Sequence, residues 1–379
     1  MGPARAGGGR VAVVFHEPNL GGATLSVLRI VPLLAERGWE FCFWVPRPSE
    51  LYDHLADRGH DVDGAPRYIE YSVRAWRVPP GPRARARSIP PYLRRFRRFL
   101  RERSPDLVHA NSIMTIAEAA AARTVGRAVL VHAHEMLPAD MRGRLMRRAA
   151  WSLGEVVAVS QASAEPLRHR GRAPRIVYEG TSIPGQRAEI RDNPRPFTVG
   201  TVAVVSTRKG SDIYVEAAER VLTAASGLFR FEMVGPPNEA VERFWAADVL
   251  ARAREVGIDH RRWVDTSECY RSWDAFVLPS RADPFPIAML EAMASGVPVI
   301  GVRRDGIAEQ IAEGCGILAE PENPGALADA IIALAGLRPD ERRAMAGAAR
   351  ERVASLFSLE RQAEAMHEAY LAAVGRRIG

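Results

Sequence analysis

Ser280–Gly301, SRADPFPIAMLEAMASGVPVIG, is the stretch on which the fold turns. It leaves an apolar, strand-like run at Ala275–Leu278 and crosses a proline-rich loop. It then enters a helix over Ile287–Ala294, breaks at Gly296 and resumes as a strand over Val297–Ile300. Asp283 in the loop and Glu291 in the helix are separated by seven residues. Both can face the space beyond the strand's carboxyl end, where open α/β sheets bind ligands. A single helix glutamate is ordinarily a solvated surface acid. Glu291, however, is the only charge between Asp283 and Arg303 and sits in the apolar run IAMLEAMA. An unpartnered carboxylate is costly there, so the setting points to a binding role.

This stretch resembles the donor-sugar motif of the retaining GT-B glycosyltransferases of family 4, the glycosyl transferases group 1. The matching positions are Asp283, Glu291, Ala292, Met293, Ala294, Gly296, Pro298 and Val299. Two positions depart from the family pattern. Its first acid is usually Glu, and Pro286 stands after Phe285 where the family has Gly; proline removes a backbone N–H that could reach a donor. The resemblance implies an α/β GT-B fold, two Rossmann-like domains with parallel sheets facing a cleft. Residues 1–190 would form the acceptor domain, 197–357 the nucleotide-sugar-binding domain, and 358–379 a helix crossing back to the first domain. It also implies that Glu291 binds ribose hydroxyls, that Asp283 binds donor sugar hydroxyls, and that Phe285, Pro286 and Ile287 line the donor site.

At 379 residues the chain has room for two domains. Its 47% hydrophobic and 26% charged content is ordinary for a globular protein. The net charge of +7 is carried almost wholly by arginine in an Arg-, Ala-, Gly- and Pro-rich composition, so it points weakly to an anionic partner. Cys42, Cys269 and Cys315 are widely spaced and odd in number, which suggests neither a disulfide framework nor a metal cluster and fits a reducing compartment. Met1–Arg10 lacks the apolar core of a signal peptide, and no apolar run reaches the roughly 18 residues that span a membrane. The expectation is a cytoplasmic protein.

Val11–Phe15 reads as a buried strand, followed by a Gly-Gly turn, an amphipathic helix over Ala23–Arg37 and a strand over Glu40–Val45. This is a βαβ unit, in which Gly21 and Gly22 would let a ligand approach the backbone at a helix N-terminus. The three-glycine dinucleotide fingerprint is absent. In the resembled family a Gly-Gly-Ala loop here lies beside the donor phosphates and the acceptor, and Gly21, Gly22 and Ala23 match it. The acceptor contacts are expected in variable loops around His16–Leu20, with His16 and Asn19 as candidates, and around Tyr68–Ala86. Asp61 and Asp63 have no supporting ligands nearby in sequence and read as loop residues. Arg74–Arg103 is crowded with arginine, with Tyr92, Phe96 and Phe99 at helical spacing. Such a helix either packs on the sheet with a solvated basic face or rests peripherally on the anionic inner face of a membrane; we favour packing. No aromatic stacking platform accompanies the charge, so nucleic acid is not expected.

Further strands are expected at Pro105–His109, Arg127–His132 and Glu155–Val159. His132 and His134 alternate at a strand end and project to one side; no third ligand at metal spacing accompanies them. The resemblance assigns the donor-facing histidine to His134, with His132 as runner-up and candidate acceptor contact. Glu179 stands where the family usually has Asn, a difference expected to matter for the hinge rather than the chemistry. Arg187–Pro196 reads as the linker.

The second half opens with a strand from Phe197 that leads to Ser206, Thr207, Arg208, Lys209, Gly210 and a helix over Asp212–Ala225. Lys209 is the only lysine in the chain. A compact ammonium can approach phosphate where a planar guanidinium does not fit, and the family's Lys-Gly turn binds the donor diphosphate. The family's preceding Arg is replaced by Val204, leaving Arg208 as the available second charge. Further on, Gly306 and Glu309 match a Gly-Gly-x-Pro-Glu turn, whereas Asp305 and Ala308 depart from it. The implied reaction is transfer of a sugar, with retention, from a nucleotide diphosphate sugar to a hydroxyl acceptor. His134, Lys209 and Asp283 would be catalytic, with Ser206, Arg208, Gly21 and Gly22 at the donor, and neither metal nor other cofactor is required. The alternatives are a nucleotide-sugar epimerase and an inactive sugar-nucleotide-binding subunit.

Overall fold

The structure is a computed structural model that describes residues 8–66, 82–192, 196–238, 242–262 and 264–375; for 82–87 it describes the backbone only. The chain divides into two compact units, Met1–Glu179 with Leu359–Gly379, and Gly180–Ser358.

In the first unit the strands are β1 (Arg10–Val14), β2 (Glu40–Pro46), β3 (Val62–Ala65), β4 (Leu107–Ala110), β5 (Ala128–Ala133), β6 (Glu155–Ala158) and β7 (Arg175–Ile176). They form one sheet in the order β3-β2-β1-β4-β5-β6-β7, and every pairing is parallel. The helices are α1 (Gly22–Glu36), α2 (Glu50–Asp57), α3 (Pro82–Arg103), α4 (Ile116–Thr124), α5 (Met141–Leu153) and α6 (Gln161–Ala164). The order reverses between β1 and β4, which opens a crevice at their carboxyl ends. Strands such as β5, AVLVHA, are buried along their whole length, as a parallel sheet covered on both faces requires.

The second unit repeats the plan. Its strands are β8 (Phe197–Val202), β9 (Phe229–Val234), β10 (Asp259–Arg261), β11 (Ala275–Leu278), β12 (Val299–Val302) and β13 (Ile317–Ala319). They are all parallel, in the order β10-β9-β8-β11-β12-β13. The helices are α7 (Ser211–Ala224), α8 (Arg243–Val256), α9 (Thr266–Ser272), α10 (Ile287–Ser295), α11 (Asp305–Gln310), α12 (Pro324–Gly336) and α13 (Pro339–Leu356). Here the reversal falls between β8 and β11. Each unit is therefore Rossmann-like.

The last helix, α14 (Leu359–Gly375), packs on the first unit. Ala363, Met366, Ala369, Tyr370 and Ala373 join the core built by Val11, Val13, Ile30 and Phe43. Gln362 donates to Ser26 Oγ at 2.8 Å, and Trp39 Nε1 donates to His367 Nδ1 at 2.9 Å.

Two sequence expectations need correction, and one, that the arginine-rich helix packs on the sheet, holds. Asp61–Asp63 is not merely a loop: Val62–Ala65 forms β3, Asp61 pairs with Arg10 and Arg103 at 2.7 and 2.9 Å, and Asp63 pairs with Arg95 at 3.3 Å. Two of those arginines lie on α3, so its basic face is partly consumed by intramolecular pairs. Its apolar face is consumed too, since Tyr92, Phe96, Phe99 and Leu100 are buried against Trp44. The second correction concerns the linker. The units part at Glu179, and residues after it pack within the second unit: Thr181 N bonds Phe357 O at 3.0 Å, Ala188 N bonds Ser295 O at 2.7 Å, and Arg191 Nε bonds Asp274 at 3.0 Å. The acceptor-loop expectation at Tyr68–Ala86 falls largely on residues 67–81, outside the described residues.

Candidate active site

The carboxyl edge of β8 and β11 carries the first group of residues. Ser206 Oγ caps a 3-10 turn over Thr207–Lys209 by accepting from Lys209 N at 3.3 Å. Gly210 then adopts φ +67° and starts α7. An added Cβ there would lie 2.1 Å from Pro279 O, so the turn rests directly on the exit of β11. This close approach brings Lys209 Nζ onto the carboxylate of Asp283, an ion pair in which the side chains are 16% and 7% exposed. Ser280 Oγ donates to the same carboxylate at 3.4 Å. Arg208 Nη1 lies 3.9 Å from Asp283 Oδ1 and donates to Ala282 O at 3.0 Å. Arg208 and Lys209, although adjacent, therefore converge on one acid. Val204, at the family's arginine position, is exposed and apolar.

The sequence reading missed Arg281. Its guanidinium forms two 2.7 Å bonds to Asp212 in the first turn of α7 and a third to Thr207 O at 2.9 Å. Its backbone N–H bonds Arg208 O at 2.8 Å. Burial opposes ionisation of Asp212, but the bonds from Arg281 outweigh it and hold this carboxyl below its usual value. Bidentate pairs of this kind fix orientation as well as adding energy. Arg281 is thus a clamp between the Lys209 turn and the Asp283 loop. Arg281→Met should raise the dissociation constant of a bound nucleotide about 10- to 100-fold, matching one charge-assisted bond of about 1.5–3 kcal/mol, and calorimetric titration reads it. Unchanged affinity would show that the two loops hold each other without the clamp.

Asp305 was noted only as a departure from a glycine-rich turn. It sits at φ +46°, a region glycine favours and Asp tolerates better than most residues. Its carboxylate accepts from Asp283 N at 3.2 Å. The next residue, Gly306, is packed so closely that a Cβ would stand 1.9 Å from Pro284 O. Glu291 is half-buried on α10 and accepts from Tyr270 Oη at 3.4 Å. Ile287 is half-buried at the start of α10. Phe285 and Pro286, expected at the donor site, turn their side chains into the fold. Phe285 is 4% exposed and packs edge-on to Phe357, while Pro286 is buried at the N-cap of α10 with its carbonyl bonded by Gln310. Their role is to seat the loop.

The second group lies at the carboxyl edge of β4 and β5. Asn111 donates its amide N–H to Ala23 O at 3.0 Å, which turns its carbonyl oxygen toward His134 Nε2 at 2.8 Å. His134 Nδ1 is 2.9 Å from Glu179 Oε1, with both side chains about 6% exposed. Each ring nitrogen thus faces a side-chain oxygen, which fixes the orientation of the ring. Glu179, where the two units part, is also a direct partner of His134, so its part is not confined to the hinge. Glu135 braces the loop by accepting from the N–H groups of His134 and Ile113 at 3.1 and 3.3 Å and from the Ser112 hydroxyl.

His132 lies behind His134, with ring centroids 4.0 Å apart, and is completely buried. Its Nδ1 is 3.2 Å from His109 Nε2, and His109 Nδ1 is 2.8 Å from the Tyr370 hydroxyl. Burial, reinforced by the charge of His134, pushes His109 down to about 3 and His132 well below its usual value, so both are neutral core histidines. The expectation of His132 as an acceptor contact is corrected on that ground. Of the remaining candidates, Gly21 caps α1, Gly22 and Asn19 are exposed, and His16 lies 3.6 Å from Glu17. Among the described residues no group of three potential ligands gathers to hold a metal.

Two Rossmann-like units, each with polar and charged groups at the carboxyl edge of its sheet, fit a protein of the GT-B class. Comparison with known proteins narrows this. A family model described as "Glycosyl transferase 4-like domain" matches residues 21–178, and one described as "Glycosyl transferases group 1" matches residues 194–336. A GDP-mannose-dependent alpha-mannosyltransferase of Mycolicibacterium smegmatis is 30% identical over 77% of this chain and 79% of its own length. The chain belongs to the group 1 glycosyltransferases. A D-inositol 3-phosphate glycosyltransferase of Geodermatophilus obscurus is 30% identical over 58% of this chain and 52% of its own. Among several such curated relatives, the chain spans about half of their length. Anabaena HepE in complex with UDP and glucose superposes with a TM-score of 0.78 at 18% identity, covering 96% of this chain and 99% of that one; this likeness shows the fold.

Proposed function

We propose that this chain transfers a hexosyl group from a nucleotide diphosphate sugar to an acceptor hydroxyl with retention of anomeric configuration. The observation that carries the donor assignment is the chain's only lysine, Lys209, held with Arg208 on Asp283 at the β8/β11 switch point. A leaving diphosphate develops negative charge, and preorganised cations at that point lower the barrier. In this reading Lys209 and Arg208 meet the diphosphate without a metal. Asp283, released from Lys209, takes donor sugar hydroxyls, and Glu291 takes the ribose. His134, held by Asn111 and Glu179, handles the sugar and the acceptor proton, and the first unit binds the acceptor. The Anabaena neighbour's UDP and the mycobacterial relative's GDP-mannose make UDP- and GDP-hexoses the donors to try first.

Thermal-shift measurements with UDP, GDP, dTDP and ADP and their sugars, with and without magnesium, test the assignment. One nucleotide series should stabilise the protein, with the same shift in chelator and no shift in Lys209→Ala. Stabilisation only with magnesium would overturn the metal-free reading. Stabilisation without turnover would favour the inactive sugar-nucleotide-binding subunit, and none with any nucleotide would remove the donor assignment. Donor turnover without an acceptor, giving the epimeric sugar nucleotide, would favour the epimerase reading.

A further inference from the structure

α5 (MRGRLMRRAAWSL) exposes two large apolar side chains one turn apart, Met141 at 60% and Leu145 at 58%. Arg148 continues the same face, since positions i, i+4 and i+7 align on a helix. Arg142 and Arg144 flank it, and Arg142, Arg144 and Arg148 are exposed and make no ion pair among the described residues. A second element extends the charge. His169 and Arg172 exchange backbone hydrogen bonds of 3.0 Å each, closing a two-residue hairpin with Arg170 at φ +49° and Gly171 at φ +76°. Positive φ at both positions is the tight turn that suits such a hairpin. It displays exposed Arg168, Arg170 and Arg172.

The hairpin is fastened to α5. Arg147 Nη1 donates to Pro166 O at 3.2 Å, Trp151 Nε1 donates to Leu167 O at 2.8 Å, and the Arg172 guanidinium stacks 4.1 Å above the Trp151 ring. Two neighbouring acids are engaged: Glu165 pairs with Arg168, and Asp140 caps α5. His169 senses the resulting field. Its pKa is lowered by desolvation and by the charges of Arg170, Arg147, Arg148 and Arg172.

We propose that the α5 face, with Met141 and Leu145 as apolar wedges and Arg142, Arg144, Arg148 and Arg170 around them, docks this protein on an anionic lipid bilayer. Unpaired guanidiniums complement anionic headgroups, and exposed apolar side chains among them gain by entering the acyl boundary. A polyanion in solution would match the charge but would leave Met141 and Leu145 in water. The contrast with α3 is physical: the aromatic face of α3 is buried, and its Arg95 and Arg103 are paired internally. On α5 neither the apolar pair nor the flanking charge is used within the described chain.

Vesicle flotation of the full chain tests this. Phosphatidylcholine vesicles containing about 30 mol% phosphatidylglycerol should carry the protein up, pure phosphatidylcholine should not, and raised salt should weaken binding. Met141→Ser/Leu145→Ser and, separately, Arg144→Glu/Arg148→Glu should each cut binding about tenfold or more. Arg94→Glu/Arg101→Glu on α3 should leave it near normal. All these side chains are exposed, so the variants fold, and nucleotide binding measured alongside reports on the donor site independently. Failure to bind anionic vesicles overturns the proposal, as does full binding by the Met141/Leu145 variant. Binding of a DNA duplex as tight as that of vesicles, equally insensitive to that variant, would assign the stripe to polyanions instead.

Discussion

Lys209→Ala should lose about 10²-fold or more in turnover while the protein remains folded, because one preorganised cation at a developing charge typically contributes that much. Removing the ammonium also leaves Asp283, buried in the loop, with only Ser280 Oγ at 3.4 Å and Arg208 at 3.9 Å. A carboxylate that loses its buried partner destabilises the fold, so loss of charge and disturbance of the loop both enter the activity of this variant. Lys209→Arg and the pair Lys209→Ala/Asp283→Asn separate the two effects. Lys209→Arg keeps the charge on Asp283 and should keep the melting temperature, yet a planar guanidinium does not replace a compact ammonium against phosphate; its turnover should fall by about tenfold or more. The double variant removes both charges and should recover stability without recovering turnover. Near-normal turnover of Lys209→Ala would remove the diphosphate from this edge and with it the donor assignment.

The sheet elements were legible because parallel strands buried on both faces are nearly pure apolar runs. Ala275–Leu278 was read with its observed bounds, and Ile287–Ala294 fell one residue short of α10. β3 was missed for the corresponding reason. Val62–Ala65, VDGA, lies at the edge of its sheet and holds an Asp that belongs to an ion pair rather than to a loop. Lys209 was legible from its rarity. Arg281 was not, because in an arginine-rich chain nothing local distinguishes a bidentate clamp from a solvated charge; its partner Asp212 is distant in sequence and meets it only through the β8/β11 adjacency. The same limit hid Asn111 and Glu179. Both converge on His134 from different strand ends, and only the parallel order β4-β5-β6-β7 brings those ends together. Phe285 and Pro286 were assigned by their place in a motif, which does not reveal that the Phe285 ring packs on Phe357 or that the Pro286 carbonyl is taken by Gln310.

Gly210→Ala should abolish measurable donor binding and lower the melting temperature. Two separate costs coincide at this residue. At φ +67° a Cβ meets the backbone of its own turn, which costs about 1–2 kcal/mol for a non-glycine residue. The Cβ would also stand 2.1 Å from Pro279 O, a backbone atom that no rotamer change can move. Relief requires the Ser206–Gly210 turn to lift from the exit of β11, and that displacement carries Lys209 away from Asp283 and strains the Arg281–Asp212 clamp. The combined cost is about 2–4 kcal/mol, or roughly 5–12 °C in melting temperature for a domain of this size. Gly227→Ala is the control. Gly227 also has a positive φ, +73°, but nothing lies within 4 Å of its added Cβ. It should therefore show only the smaller backbone cost and bind nucleotide normally. Equal effects of the two substitutions would mean that the left-handed conformation alone matters. A larger loss at Gly210, with donor binding gone, would show that the contact between turn and strand exit holds the cations in place.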